Sequence, residues 1–160
     1  MGVKKKAEET VAALGDALRR RGWRMATAES CTGGLVASTL TDVAGSSDWF
    51  EGGVVAYDNR VKMRLLGVPE EVLVRDGAVS RACVEAMVRG VCGLMGVQAG
   101  VAVSGIAGPS GGTPGKPVGT VWVAWMADGR VWSSVFLFRG SRREIKGQSM
   151  LAALAGLELA

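Results

Sequence analysis

The amino-acid sequence predicts a three-layer α/β/α domain, with helices on both sides of a mixed sheet of about five strands. Three observations lead there. Apolar residues recur at helical spacing in several separated stretches. Between them stand short apolar runs, at residues 24–28, 52–57 and 99–104, of the kind that strands covered on both faces show. Two longer strand-like segments meet at Asp128-Gly129, a strong hairpin signal that makes this last pair antiparallel.

Taken in order, residues 4–21 form an amphipathic helix with Val11, Leu14 and Leu18 on its apolar face. Arginines crowd its carboxyl end, where the helix dipole favours them, and Gly22 stops it. Residues 24–28 are the first strand, and Leu35, Val36 and Leu40 supply the stripe of the next helix. Residues 42–48 are a loop, and Gly52-Gly53-Val54-Val55-Ala56-Tyr57 reads as a buried second strand. A short helix covers 59–66 and a helical turn 69–74. Ser80 caps a helix to about Met95, with Val84, Met87, Val88 and Val91 facing inward. Residues 99–104 are the third strand. The stretch 104–117, rich in glycine and proline, is a loop. Strands over 119–126 and 130–138 follow, and Ser141-Arg142-Arg143-Glu144 fits a capping box opening a last helix, its stripe Ile145, Leu151, Leu154 and Leu157. With 160 residues, 48% of them hydrophobic, and no internal repeat or boundary, residues 1–160 are expected to form one domain.

Composition removes several function classes. No apolar run is long enough to span a membrane, and the basic start Met1 to Lys6 leads into Glu8 and Glu9 rather than an apolar stretch, so a cytoplasmic location is expected. The net charge of +4 is scattered, with no nucleic-acid motif or aromatic-basic interleaving, so neither nucleic acid nor membrane is an expected partner. The three cysteines are odd in number and widely spaced, which fits a reducing compartment; Cys83 and Cys92 fall on opposite faces of one helix and read as core. Asp42, Asp48, Glu51 and Asp58 are spread over loops and read as surface or cap residues, so no metal and no cofactor is expected. The chain has no histidine, which excludes Ser-His-Asp and Cys-His catalysis. Any nucleophile here needs another base.

The chemistry is expected at Thr27-Ala28-Glu29-Ser30-Cys31-Thr32-Gly33-Gly34, a turn from the first strand into a glycine-started helix. Turns at the carboxyl ends of strands are where ligands bind in open α/β sheets, and free N–H groups at a helix start favour an anion or a developing oxyanion. The backbone N–H groups of Cys31, Thr32, Gly33 and Gly34 are the candidates for that role. An ordinary capped turn would read the same way, so a second feature is needed. Tyr57-Asp58-Asn59-Arg60-Val61-Lys62 supplies one, placing a phenol at a strand end and a lysine on the helix beyond, at the same sheet edge as Ser30. Lysine can serve a serine as base if burial lowers its pKa from about 10.4. Alone, a lysine such as Lys62 is far more often a solvated helix residue than a base, and Tyr57 more often a strand aromatic; only their meeting with Ser30 makes them catalytic.

That stretch and Gly45-Ser46-Ser47, Phe50-Glu51-Gly52-Gly53-Val54-Val55-Ala56-Tyr57, Lys62 with Leu65-Leu66-Gly67-Val68, Gly77-Ala78-Val79-Ser80 and Ser104-Gly105-Ile106-Ala107-Gly108-Pro109 together resemble, in this order, the CinA carboxyl-terminal domain family. Members of that family are nicotinamide-nucleotide amidohydrolases, standing alone or fused behind a second domain in competence/damage-inducible proteins; this chain resembles the stand-alone form. The resemblance implies hydrolysis of the carboxamide of nicotinamide mononucleotide to nicotinate mononucleotide and ammonia, in pyridine nucleotide recycling. It implies Ser30 as nucleophile, Lys62 as its base and Tyr57 as the group that orients Lys62 or relays the proton. Ser104, Gly105, Ile106, Ala107 and Gly108 correspond to the nucleotide-contacting segment. This is not a Walker A loop, which would need glycine at Ser110 and Ser or Thr at Pro117.

Arg142 opposes the dipole in the first turn of the last helix, a conflict that either a bound 5′-phosphate or solvent would relieve. Two rival functions stand beside the serine scheme. One makes Cys31 the nucleophile with Lys62 and Glu29 or Glu51; the other is a non-catalytic nucleotide-binding or interaction module. Five tryptophans, with Trp122 and Trp125 on opposite faces of one strand, lead to the expectation of a homodimer surface.

Overall fold

A computed structural model describes residues 2–159; Met1, where the basic amino-terminal stretch begins, and Ala160 lie outside the described residues. Five strands, β1 (Met25–Glu29), β2 (Phe50–Val55), β3 (Ala99–Gly105), β4 (Thr120–Ala127) and β5 (Arg130–Leu137), form one sheet in the order β2-β1-β3-β4-β5. The first three are parallel, whereas β4 and β5 run antiparallel to their neighbours. This is the mixed sheet the hydrophobic pattern predicts. The hairpin turn at Asp128 and Gly129 takes φ of +48° and +85°, the left-handed pair that suits a right-twisted hairpin.

Helices α1 (Val3–Arg21), α2 (Leu35–Thr41) and α6 (Arg142–Ala155) pack on one face, against Val101, Val103, Val121, Val123 and Trp125. Helices α3 (Asn59–Leu66), α4 (Glu70–Arg75) and α5 (Arg81–Met95) cover the other, where the sheet presents Ala26, Ala28, Ala102 and Ala124 to α5. Those alanines let α5 lie close to the strands. Cys83 and Cys92 are both buried in α5. Caps fall where the sequence places them: Ser80 accepts from the Cys83 N–H, and Ser141 with Glu144 forms the capping box of α6.

Two expectations need correction. β2 is not a buried strand: it starts at Phe50, ends at Val55, and as the sheet edge alternates half-buried and exposed residues. Tyr57 therefore follows the strand instead of ending it. The 42–48 loop contains a single 3₁₀ turn at Ser46–Asp48, and the 69–74 turn is the helix α4, entered from Pro69. None of the five tryptophans is an exposed residue: Trp49 and Trp125 are buried, and Trp23, Trp122 and Trp132 half-buried. They pack within or against the layers. No helix among the described residues is long and apolar enough to cross a membrane.

β1 leads through α2 to β2 on its one side, while β2 leads back through α3, α4 and α5 to β3 on the other. The direction of winding reverses between β1 and β3, and in open α/β sheets such a reversal opens a crevice beyond the carboxyl ends of the strands.

Candidate active site

That crevice holds a cleft of about 350 Å³, lined at its floor by Ser30, Cys31, Lys62 and Ser104 and closed along one side by Gly105 to Gly108. Ser30 leaves β1 with its N–H donated to the Val103 carbonyl of β3 at 2.9 Å, which fixes it beside Ser104. The turn behind Ser30 is held by a buried carboxylate. Glu29 accepts from the Thr32 hydroxyl at 2.6 Å and from the N–H groups of Val36 and Ala37 at 2.8 and 3.0 Å, so it caps α2 from the preceding strand. A negative group at a helix start is favoured by the dipole as well.

Lys62 reaches the cleft from the second turn of α3, whose start is capped by Asp58. Its residue is 1% exposed, and its Nζ lies 3.1 Å from Ser30 Oγ, 2.8 Å from the Ala56 carbonyl oxygen and 2.9 Å from that of Tyr57. No carboxylate pairs with it among the described residues. Burial pushes its pKa below the ordinary lysine value. All three neighbours are oxygens within reach of the amine's protons; on losing one proton the amine would keep two for the carbonyls and turn a lone pair to the Ser30 hydroxyl.

Several expected site residues are placed differently. The Tyr57 phenol does not orient Lys62. Tyr57 is 61% exposed, and its hydroxyl is at the cleft rim, 3.4 Å from Arg142 Nη2, while its main-chain carbonyl does the orienting. Thr32, Gly33 and Gly34 do not line the cleft. The Gly33 N–H is donated to the Ser30 carbonyl at 3.0 Å, and Gly34, at φ +104°, is the left-handed residue that opens α2; the Thr32 side chain holds Glu29. Of the four candidate oxyanion donors, only Cys31 lines the cleft.

The Cys31 thiol is buried, and desolvation pushes its pKa up to about 11. Its proposed acid partners are engaged elsewhere, Glu29 on α2 and Glu51 on Arg24 at 2.6 Å. Arg142 extends from α6 across the cleft mouth and donates to the Gly108 carbonyl at 2.7 Å. On its outer side it joins Arg143 and Lys146 around a second, basic hollow. Asn59, Ala78, Val79, Ser110 and Gly111 also line the cleft, and though each of these stretches is read in the sequence, none of the five is named there as a site residue. Asn59 had a signal, its position between Tyr57 and Lys62; the others lie in connections with no periodicity to read.

A serine hydroxyl beside a desolvated amine, with a guanidinium at the mouth, is an arrangement chemically capable of acyl transfer. The family model of the CinA C-terminal domain matches residues 7–160. The chain belongs to the CinA C-terminal domain family. Within that family it is similar to the nicotinamide-nucleotide amidohydrolase PncC of Pseudomonas putida, 54% identical over 90% of each chain. It is also similar to the protein of the same name from Enterobacter agglomerans, 46% identical over 94% of this chain and 92% of that one. Among solved structures, a competence damage-inducible protein A from Klebsiella pneumoniae superposes with a TM-score of 0.90 at 40% identity, over 93% of this chain and 92% of that one. CinA relatives thus share both the sequence and the layer arrangement.

Proposed function

We propose that the protein is a nicotinamide-nucleotide amidohydrolase that hydrolyses the carboxamide of nicotinamide mononucleotide through Ser30 and Lys62. The observation that carries this reading is the 3.1 Å approach of a buried, carboxylate-free amine to the Ser30 hydroxyl. Neutral Lys62 takes the hydroxyl proton as Ser30 Oγ attacks the carboxamide carbon. The Cys31 N–H faces the oxyanion. As the intermediate collapses, the C–N bond breaks, the Lys62 ammonium returns its proton to the leaving nitrogen, and ammonia departs from an ester on Ser30. Lys62, neutral again, draws a proton from water, whose oxygen attacks the ester carbon. The acyl–oxygen bond breaks, Ser30 regains its proton, and nicotinate mononucleotide leaves. Arg142 at the mouth receives the 5′-phosphate, and the 104–108 loop flanks the ribose. The names carried by the Pseudomonas and Enterobacter relatives support a nicotinamide-nucleotide substrate, and pyridine nucleotide recycling is the setting it fits.

Ammonia release from nicotinamide mononucleotide tests the scheme. Ser30→Ala and Lys62→Met, each checked for native circular dichroism, are expected to lose about a thousandfold or more in kcat. Cys31→Ala is expected to stay within about threefold of wild type, because the loss of a packed thiol leaves the dyad in place. Turnover lost in the Cys31 variant alone would make the thiol the nucleophile. Tight nucleotide binding with no ammonia from the wild type would mark a binding module.

A further inference from the structure

Beyond the Ala78-Val79 stretch, a second cavity of about 710 Å³ opens on the α5 side of the sheet, and the reaction above makes no use of it. Half-buried Trp122 lines it from β4. The Arg81 guanidinium stands 5.6 Å from the centroid of that indole, near the outer limit of a cation–π contact. Lys116, from the long loop, reaches the same cavity and donates to the Asp76 carbonyl at 2.5 Å. Neither cation has a carboxylate partner among the described residues, although two carboxylates are at hand. Asp76 is taken by Arg75 at 2.8 Å, and Glu85 accepts from the Ser133 hydroxyl at 2.7 Å.

Arg81 and Lys116 thus carry charges that no salt bridge among the described residues offsets, whereas Asp76 is paired with Arg75 and Glu85 holds one hydroxyl hydrogen bond. An indole half open to a cavity suits a flat heteroaromatic ring, and two unpaired cations suit an anion attached to it. A bicyclic base matches the indole better than a single ring does, since stacking grows with the overlapping area.

We propose that this cavity binds a purine nucleoside monophosphate, its base over Trp122 and its phosphate between Arg81 and Lys116. The base takes the place now held loosely by the Arg81 guanidinium, which moves out to the phosphate. Val79 is a wall of both this cavity and the catalytic cleft, so the occupant sits one side chain from the chemistry.

Calorimetric titration of the intact protein with AMP tests this, alongside tryptophan fluorescence. Saturable binding of one AMP per chain, with quenching, is expected. Arg81→Glu, a change at an exposed position, should weaken binding about tenfold or more, as should adenosine in place of AMP. Trp122→Phe should keep most of the affinity but lose the quench. Arg142→Ala, at a residue that does not line this cavity, should leave AMP affinity unchanged. Three results would each overturn the proposal: no saturation up to millimolar AMP, equal affinity in Arg81→Glu, or binding abolished by Arg142→Ala, which would put AMP in the catalytic cleft.

Discussion

At the scale of single residues, the site turns on the charge state of one amine. Enclosing an ammonium without a counter-ion costs several kcal/mol, whereas the neutral amine needs only its hydrogen bonds. Burial therefore lowers the pKa of Lys62, and the fraction in the base form at a given pH exceeds that of a free lysine. The sign of the pH dependence follows. Protonation removes the lone pair that accepts from Ser30, so kcat/KM should rise with pH as Lys62 loses its proton. The apparent pKa should lie below the ordinary lysine value of about 10.4, with a plateau above it. A rate that falls across that limb would mean that the charged form is the active one. In the proposed scheme Arg142 acts separately. Arg142→Ala should raise KM for nicotinamide mononucleotide about tenfold or more while leaving the riboside, which lacks the phosphate, little changed. Steady-state kinetics on the two substrates reads this directly. The pairing of Ser30 with Lys62 was legible because a chain without histidine has few bases to offer a serine. The true partners of Lys62 were not, because main-chain carbonyls at 56 and 57 carry no mark in the sequence. The Tyr57 ring drew notice, while its carbonyl holds the amine.

Elements place these residues, and the tolerances are set by small side chains. α3 rests on α5 at Gly90, where a Cβ would run into the Leu66 carbonyl at the end of α3. In an isolated helix Ala in place of Gly would be favourable by about 1 kcal/mol. Here the added carbon must push α3 outward, and Lys62, one turn before Leu66, moves with it. Gly90→Ala is thus expected to retain helical circular dichroism but lose about tenfold or more in kcat, since small misplacements at a reacting centre are costly. Unchanged kcat would mean that α3 is held by other contacts. The helices and their caps were legible because periodicity, Ser80, Ser141 and Glu144 are local signals. β2 was misread for the opposite reason. Gly52 to Tyr57 is apolar enough for an interior strand, yet an edge is defined by which strands pair, and that depends on distant parts of the chain. Gly53 is there for its neighbour: the Thr27 side chain of β1 occupies the space where a Cβ would stand. Glu29, offered by the sequence as an acid, is the cap of α2 because β1 ends with that side chain turned toward the helix start.

On the scale of the whole molecule, the sheet separates two apolar layers that share no side chains, one under α1, α2 and α6 and the other under α3, α4 and α5. The proposed catalytic pair straddles them, Ser30 just beyond the end of β1 and Lys62 on α3 in the second layer. Activity therefore requires both layers to be formed at once. The three cysteines report on this from inside: Cys31 belongs to the first core, Cys83 and Cys92 to the second. Desolvation pushes the thiols up to about 11, 11 and 12 in that order, so the native state offers almost no thiolate to an alkylating reagent near neutral pH. Labelling must wait for opening of the fold. If the shared sheet makes the two layers one cooperative unit, iodoacetamide in mild denaturant should modify all three cysteines at a common rate, read by mass spectrometry of their peptides, and activity should decay in step. Cys83 and Cys92 labelled well ahead of Cys31 would show instead that the α5 layer opens on its own. Lys62 would then be carried away from Ser30 in a partly folded state, and the loss of activity would precede the loss of the first core.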